Sequence, residues 1–492
     1  MADIVLTHSY HLHYDPKQVR KMQPYPPLGT LYAATALEES GRSVSVFDPM
    51  LCEPVQGFTE MLGRERPKIV AIYEDDFNFL SKMCLTRCRE LAWQLARIAR
   101  ASGCRVIAHG SDATDQAQAY LENGVEFVLA GEAEQALATL CTSLLGGNQP
   151  AATVPGVLSL DKDGRLAGNA VTASRNPEWK RLPRPARRLV DLAPYRDAWT
   201  RAHGYFSTNV VASRGCPYRC NWCAKPISGN RYQLRSATSV ADEVQELQSV
   251  YGVEHIWFGD DIFALNQHWV LEFATAIEAR RCRVPFKIQS RADLMTPETV
   301  RGLKLAGCAE VWMGVESGSQ RVLDAMDKGL KVEEVEAARQ LLGQHGIRAC
   351  YFVQFGYPGE LWQDILRTID LVRRTRPDDV GISFSYPLPG TVFFDRVKEQ
   401  MGAKSNWTDS DDLCLMFTAP YSNEFYLALR DALHAEVDSW NKGTPIQGSL
   451  WQKVFALEQT AKNPEATILH VRDSAGEPLP AQLVQLQGAA AN

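Results

Sequence analysis

Three cysteines crowd the segment Ser213-Arg214-Gly215-Cys216-Pro217-Tyr218-Arg219-Cys220-Asn221-Trp222-Cys223, spaced C-x3-C-x2-C. Thiolates are soft ligands that suit iron–sulfur clusters and zinc. Three on one short loop can each bind one iron of a cubane. The fourth iron then lacks a protein thiolate and is open to a small molecule. A structural zinc site is the competing reading. It normally takes four protein ligands, and the next cysteine along the chain is Cys282. Nine of the twelve cysteines lie outside this cluster, scattered as reduced, buried thiols are in a large chain without a disulfide framework.

The elements around the cluster alternate. Between 206 and 400, strand patterns at 208–212, 255–258, 286–289, 310–314, 348–355 and 380–384 are mostly followed by helical ones. Six β/α units predict a partial (β/α)6 barrel with its active site at the strand carboxyl ends. The first of those ends runs into the cysteines. Upstream, 1–150 predicts an α/β, doubly wound parallel sheet, with strands at 4–7, 43–47, 68–73, 105–108 and 126–129. Its ligands belong at strand carboxyl ends. Residues 151–205 are proline-dense and read as a linker. Residues 401–492 read as mainly helical, with an amphipathic stretch over 423–440 whose apolar face is read as core packing.

The cysteine loop, placed after a strand and before β/α repeats, resembles the radical S-adenosylmethionine (SAM) superfamily. The resemblance covers about 206–400. It implies a [4Fe-4S] cluster on Cys216, Cys220 and Cys223, whose open iron binds SAM, and reductive cleavage of SAM to a 5′-deoxyadenosyl radical. It implies further cofactor contacts: Trp222 near adenine, Asp260 or Asp261 for the methionine amino group, and Gln289, Arg291, Glu316 and Arg321 for the ribose and methionine carboxylate. A carboxylate can accept from ribose hydroxyls and an arginine can clamp a carboxylate, although each of these residues alone also suits an ordinary salt bridge or cap.

The N-terminal part resembles the cobalamin-binding domains fused to radical SAM domains. The matching residues are Pro26-Pro27-Leu28-Gly29-Thr30, Gly110-Ser111-Asp112-Ala113-Thr114 and Val128-Leu129-Ala130-Gly131-Glu132. This resemblance implies cobalamin contacts at Gly29, Gly110, Ser111, Gly131 and Glu132. The D-x-H-x-x-G motif that gives cobalt a histidine is absent, and His109 is read as structural. Three functions follow as expectations. The first is a cobalamin-dependent radical SAM methyltransferase acting on an unactivated carbon. The second is a radical SAM cyclase or rearrangement enzyme without methyl transfer. The third is a non-catalytic iron–sulfur or cobalamin module. The partners implied are a small-molecule substrate and a reductant such as flavodoxin or ferredoxin.

Composition sets the outer bounds. The net charge of -6 argues against a dominant nucleic-acid surface, and 45% apolar with 22% charged residues is ordinary for a folded chain. No run approaches the ~18–20 apolar residues of a spanning helix, and the N-terminus lacks a signal-peptide pattern. The expectation is a cytoplasmic enzyme. The substrate is not legible. Tyr351, Gln354 and Tyr386 are candidates to face the barrel interior, and strand packing explains them equally well.

Overall fold

A computed structural model describes residues 1–78, 86–146, 153–168, 184–225, 227–402, 415–445 and 448–463. Seven strands form the first sheet: β1 (Ile4–Thr7), β2 (Val44–Phe47), β3 (Ile69–Tyr73), β4 (Arg105–His109), β5 (Phe127–Leu129), β6 (Val157–Leu160) and β7 (Leu166–Gly168). Their order is β2-β1-β3-β4-β5-β6-β7. The pairs among β1–β5 are parallel, and β6 and β7 add an antiparallel hairpin. The order reverses at β1/β3, which is where doubly wound sheets open a crevice for ligands.

The hairpin departs from the linker expected at 151–205. It turns on Asp161-Lys162-Asp163-Gly164, where Asp161 Oδ1 accepts from the amides of Asp163 (2.8 Å) and Arg165 (2.9 Å). Its strands are short and surrounded by prolines and charges, so periodicity did not reveal them.

The second sheet contains β8 (Ser207–Val210), then β11 (His255–Phe258), β12 (Phe286–Ser290), β13 (Cys308–Glu316), β14 (Arg348–Phe355) and β15 (Asp379–Phe384), all parallel in the order β15-β14-β13-β12-β11-β8. Two short strands, β9 (Ser213–Arg214) and β10 (Gln233–Leu234), pair antiparallel beside it. The helix Asn423–Lys442 packs against β15. No helix among the described residues is long and apolar enough to cross a membrane.

Alternation along these strands separates two faces. Phe258 and Phe286 meet Phe273 of the helix Gln267–Arg280, so they face the helices. Trp257, Lys287 and Gln289 therefore face the barrel interior. Trp312 and Phe352 stack at 4.8 Å on the same interior face. Gly381 leaves them room, since a Cβ there would stand 3.0 Å from Phe352 and 3.2 Å from Trp312. Tyr351 points the other way, toward Thr375 and Arg339 of the flanking helices. Gln354 shares the face of Phe352 and looks inward.

Candidate functional site

The cysteine loop is fastened at its root. Asp260, two residues past the end of β11, is buried and accepts from the Ala212 amide (3.1 Å) and the Ser213 hydroxyl. Burial raises its carboxyl to about 7 against these hydrogen bonds. Asp261 accepts from the Gly215 amide at 3.2 Å. Gly215 has φ +79°, and a Cβ there would lie 2.4 Å from the Arg231 carbonyl oxygen, so only glycine fits. Beyond it, Lys225 Nζ donates to the Cys216 carbonyl (3.1 Å) and to Asn230 Oδ1 (2.8 Å). Asn221 ties the loop to the barrel: its Nδ2 donates to the Ala325 carbonyl (2.7 Å) and to Asp327 (2.9 Å), and its Oδ1 accepts from the Tyr357 hydroxyl (2.8 Å).

Cys216, Cys220 and Cys223 are all partly exposed on this loop and free of disulfides. Burial pushes the Cys223 thiol up to about 12 and raises that of Cys216. Such thiols are poor free nucleophiles and ionise when a metal bonds them. Among the described residues, no three His, Cys, Asp or Glu side chains gather around one point as a single-ion site requires. The ligands of a cubane bind three different irons and need no shared point. The donor set therefore suits a cluster with one open iron better than a structural zinc.

Several strand-end residues meet beside the loop. Lys328 Nζ pairs with Glu316 at 2.8 Å and lies 6.0 Å from the centre of the Trp222 ring. Arg291 donates to the Lys328 carbonyl (2.8 Å) and sits 3.8 Å over the Tyr218 ring. The Trp222 indole nitrogen is buried without a hydrogen-bond partner. Glu316 adopts φ 62°, a backbone conformation uncommon for a residue with a side chain. Trp222, Arg291 and Glu316 are thus brought together around Lys328. The sequence reading missed Lys328, which stands in a charged turn and looks like a solvated residue.

The other expected contacts lie elsewhere. Gln289 is half-buried on the interior face. Arg321 turns to Asp364 and to the Gly359 carbonyl (2.9 Å), tying two loops together. Arg291 is also engaged by Asp293 at 2.9 Å. A SAM carboxylate would compete with that pair.

The first sheet presents its carboxyl ends to the same loop. The Gly29 amide donates to Asp75 Oδ1 (2.9 Å), and a Cβ on Gly29 would stand 3.0 Å from the Asp76 amide nitrogen. Gly110 has φ +142° and lies against Glu74, and it leads into Ser111. His109 stacks on Tyr73 at 4.0 Å and bonds the Gly131 carbonyl at 2.9 Å. Glu132 is buried 3.9 Å from Arg214, and Glu134 makes a two-pronged ion pair with the same arginine. Arg214 also lies 4.9 Å over the Phe77 ring. Asp76, Phe77, Ser111, Arg214, Lys225 and Asp261 help line a small cleft between the two sheets that is partly open to solvent. Ser111 Oγ, in the wall of this cleft, is buried without a partner, as are Tyr73 OH, Asp75 Oδ2 and His109 Nδ1 near the carboxyl ends of the first sheet.

Residues 210–372 match the Radical SAM superfamily, and this part of the chain is a radical SAM domain. Such a domain uses a [4Fe-4S] cluster and SAM, and it makes the protein an enzyme. Over 389 residues the chain is 23% identical to an uncharacterised methyltransferase of Pyrococcus horikoshii, covering 78% of this chain and 81% of that protein. It is 25% identical to the hopanoid C-3 methylase of Methylococcus capsulatus, covering 74% of this chain and 67% of the methylase. Among solved structures it superposes on TsrM, a radical SAM methyltransferase of Kitasatospora setae with cobalamin and a [4Fe-4S] cluster bound, with a TM-score of 0.67 at 21% identity. That match covers 82% of this chain and 76% of TsrM. It shows that the two-sheet architecture is shared.

Proposed function

We propose that this protein is a cobalamin-dependent radical SAM methyltransferase acting on an unactivated carbon of a small molecule. The observation supporting this reading is the meeting of two sheets, carboxyl ends facing, across a cleft lined by Asp76, Phe77 and Ser111 on one side and by Arg214, Lys225 and Asp261, which flank and brace the cysteine loop, on the other. When bound, the cluster supplies the electron that cleaves SAM, and cobalamin supplies a methyl carrier.

The chain's own residues hold and orient. Cys216, Cys220 and Cys223 provide the cluster thiolates. Trp222 offers a ring face and an unpaired N–H to the adenine. Glu316, fixed by Lys328, accepts from the ribose hydroxyls, while Arg291, held by Asp293 and the Lys328 and Gly329 carbonyls, contributes positive charge beside the methionine carboxylate. Asp260 acts as a positioning residue by holding Ser213, and Asp261 does so by holding Gly215.

Ser111, His109, Tyr73 and Asp75 match the amide arms of a corrin in chemistry, since each can donate or accept. The fold region 1–168 would then form the corrinoid platform and 207–384 the reaction chamber.

The test is cobalt and iron analysis after anaerobic reconstitution and gel filtration. The reading expects one cobalt and about four irons per chain. Iron without cobalt, at saturating hydroxocobalamin, refutes the corrinoid half.

A further inference from the structure

Three basic side chains at the cysteine loop are neutralised by carboxylates. Arg214 is paired with Glu134, Arg291 with Asp293 and Lys328 with Glu316. Lys225 differs. Among the described residues it makes no ion pair, and its ammonium is held by the Cys216 carbonyl (3.1 Å), the Tyr218 carbonyl and Asn230 Oδ1 (2.8 Å). An ammonium has three N–H donors, and these acceptors use them all.

The local chain path puts the ammonium there. The Gly229 amide donates to the Lys225 carbonyl at 3.0 Å, so the chain turns back soon after Cys223 and returns Asn230 to the lysine's own side chain. Lys225 thus joins the exit of the cysteine loop to its entry at Cys216. It is half-buried and lines the cleft between the two sheets, as Asp261 does. Asp261 accepts from the Gly215 amide (3.2 Å) and stands outside ion-pair distance of Lys225.

The lysine charge reaches the ligands themselves. Burial raises the Cys216 and Cys223 thiols, and on both the Lys225 charge works against burial and outweighs that of Asp261. A cluster bound to the same sulfurs gains one negative charge when it is reduced. The potential of an iron–sulfur cluster follows the net charge around it. A nearby cation that no carboxylate cancels favours the reduced form, and partial burial limits the screening of that attraction.

We infer that Lys225 is a positioning residue that sets the reduction potential of the cluster: its ammonium clasps the cysteine loop and its uncancelled charge favours entry of the electron that SAM cleavage consumes. The inference rests on the assignment of the cluster to Cys216, Cys220 and Cys223. The step it governs is a one-electron reduction of the oxidised cluster by an external low-potential donor. Lys225 remains an ammonium throughout, and no bond to it forms or breaks.

The test uses the full-length protein, reconstituted anaerobically without SAM. The midpoint potential is read by electron paramagnetic resonance of samples poised with dithionite and mediators. Lys225→Gln keeps a donor and removes the charge. Its cluster is expected to be about tenfold harder to reduce, a potential about 59 mV more negative for one electron. Lys225→Arg keeps the charge and is expected to stay within about threefold of wild type. Asn230 is exposed, so Asn230→Asp leaves packing and the lysine in place while setting a carboxylate against the ammonium. It is expected to lower the potential too, and it keeps the test decisive if Lys225→Gln takes up no iron. The inference is overturned if iron-loaded Lys225→Gln keeps the wild-type potential, if Lys225→Arg falls as far as Lys225→Gln, or if Asn230→Asp changes nothing. Iron content reports separately on the ligands: Cys→Ala variants that load as much iron as wild type overturn the cysteine assignment, whereas loaded variants with unmoved potentials overturn the inference alone.

Discussion

Arg214, two positions before the first cluster cysteine, is ion-paired through both guanidinium arms to Glu134, the first residue of the helix that follows β5 of the other sheet. Both side chains are almost fully buried, at 3% and 4% exposure. Burial works to raise the Glu134 carboxyl, and Arg214 holds it below the ordinary range. Removing one partner of such a pair costs about 3–5 kcal/mol, while replacing both by apolar residues is often neutral. Glu134→Gln is therefore expected to lower the melting temperature sharply. Arg214→Met with Glu134→Met and Glu132→Gln, which leaves no charge of this buried group unpaired, is expected to recover at least half of the loss. An unchanged melt for Glu134→Gln would show that the pair does not hold the two sheets together.

The Tyr357 hydroxyl bonds Asn221, which lies between the second and third cysteines and also caps the 325–327 turn. Tyr357→Phe removes a hydroxyl shared between Asn221 Oδ1 (2.8 Å) and the Ala325 carbonyl (3.0 Å), a loss of about 1–2 kcal/mol. The loop should then hold its cluster less firmly. Iron release to a chelator under anaerobic conditions is expected to accelerate about threefold or more. Identical release rates for variant and wild type would mean that this bond does not brace the cluster loop.

Glu316 and Lys328 form a buried pair beside Trp222, with Glu316 in a left-handed backbone conformation. If the carboxylate receives the SAM ribose, Glu316→Gln keeps the shape and loses the charge-assisted bonds. A rise of about tenfold in the SAM dissociation constant is expected. Equilibrium dialysis with labelled SAM measures it, and an unchanged constant removes Glu316 from the site.

Glu360 is fully buried beyond the end of β14, where its Oε2 accepts from the Gly356 amide (2.7 Å) and its Oε1 has no partner. Burial raises its carboxyl from 4.5 to about 8. The native state thus holds this proton where the unfolded chain releases it. Its stabilising contribution is complete below pH ~4.5 and is lost as pH rises through about 8. Glu360→Gln cannot ionise. It is expected to melt like wild type near pH 4.5 and to be more stable by about 1–2 kcal/mol at pH 9. A constant difference across that range would show that Glu360 is already ionised in the fold.

The cluster loop was readable because its ligands are contiguous and their type and spacing carry the chemistry. The strands of both sheets were readable because parallel strands buried between helices are short apolar runs at regular intervals. What escaped depends on long-range meetings. Lys328 becomes part of the site only because Glu316 arrives from another strand, and a lysine in a turn carries no local signal. Arg214 and Glu134 are far apart in the chain and meet only when the sheets pack. The β6–β7 hairpin escaped because its pairing partner is β5 and its own residues are half polar. Asp260 illustrates the converse: its position at a strand end was clear, but its hydrogen bonds to Ala212 and Ser213 appear only in the folded chain.

The central claim is tested most directly by incubating the iron- and cobalamin-loaded protein anaerobically with SAM and a strong reductant and measuring 5′-deoxyadenosine and S-adenosylhomocysteine together. The account predicts both products from wild type, and no 5′-deoxyadenosine from Cys216→Ala, Cys220→Ala or Cys223→Ala. Deoxyadenosine without S-adenosylhomocysteine would contradict methyl transfer and favour a cyclase or rearrangement, while neither product from fully loaded protein would contradict the account as a whole.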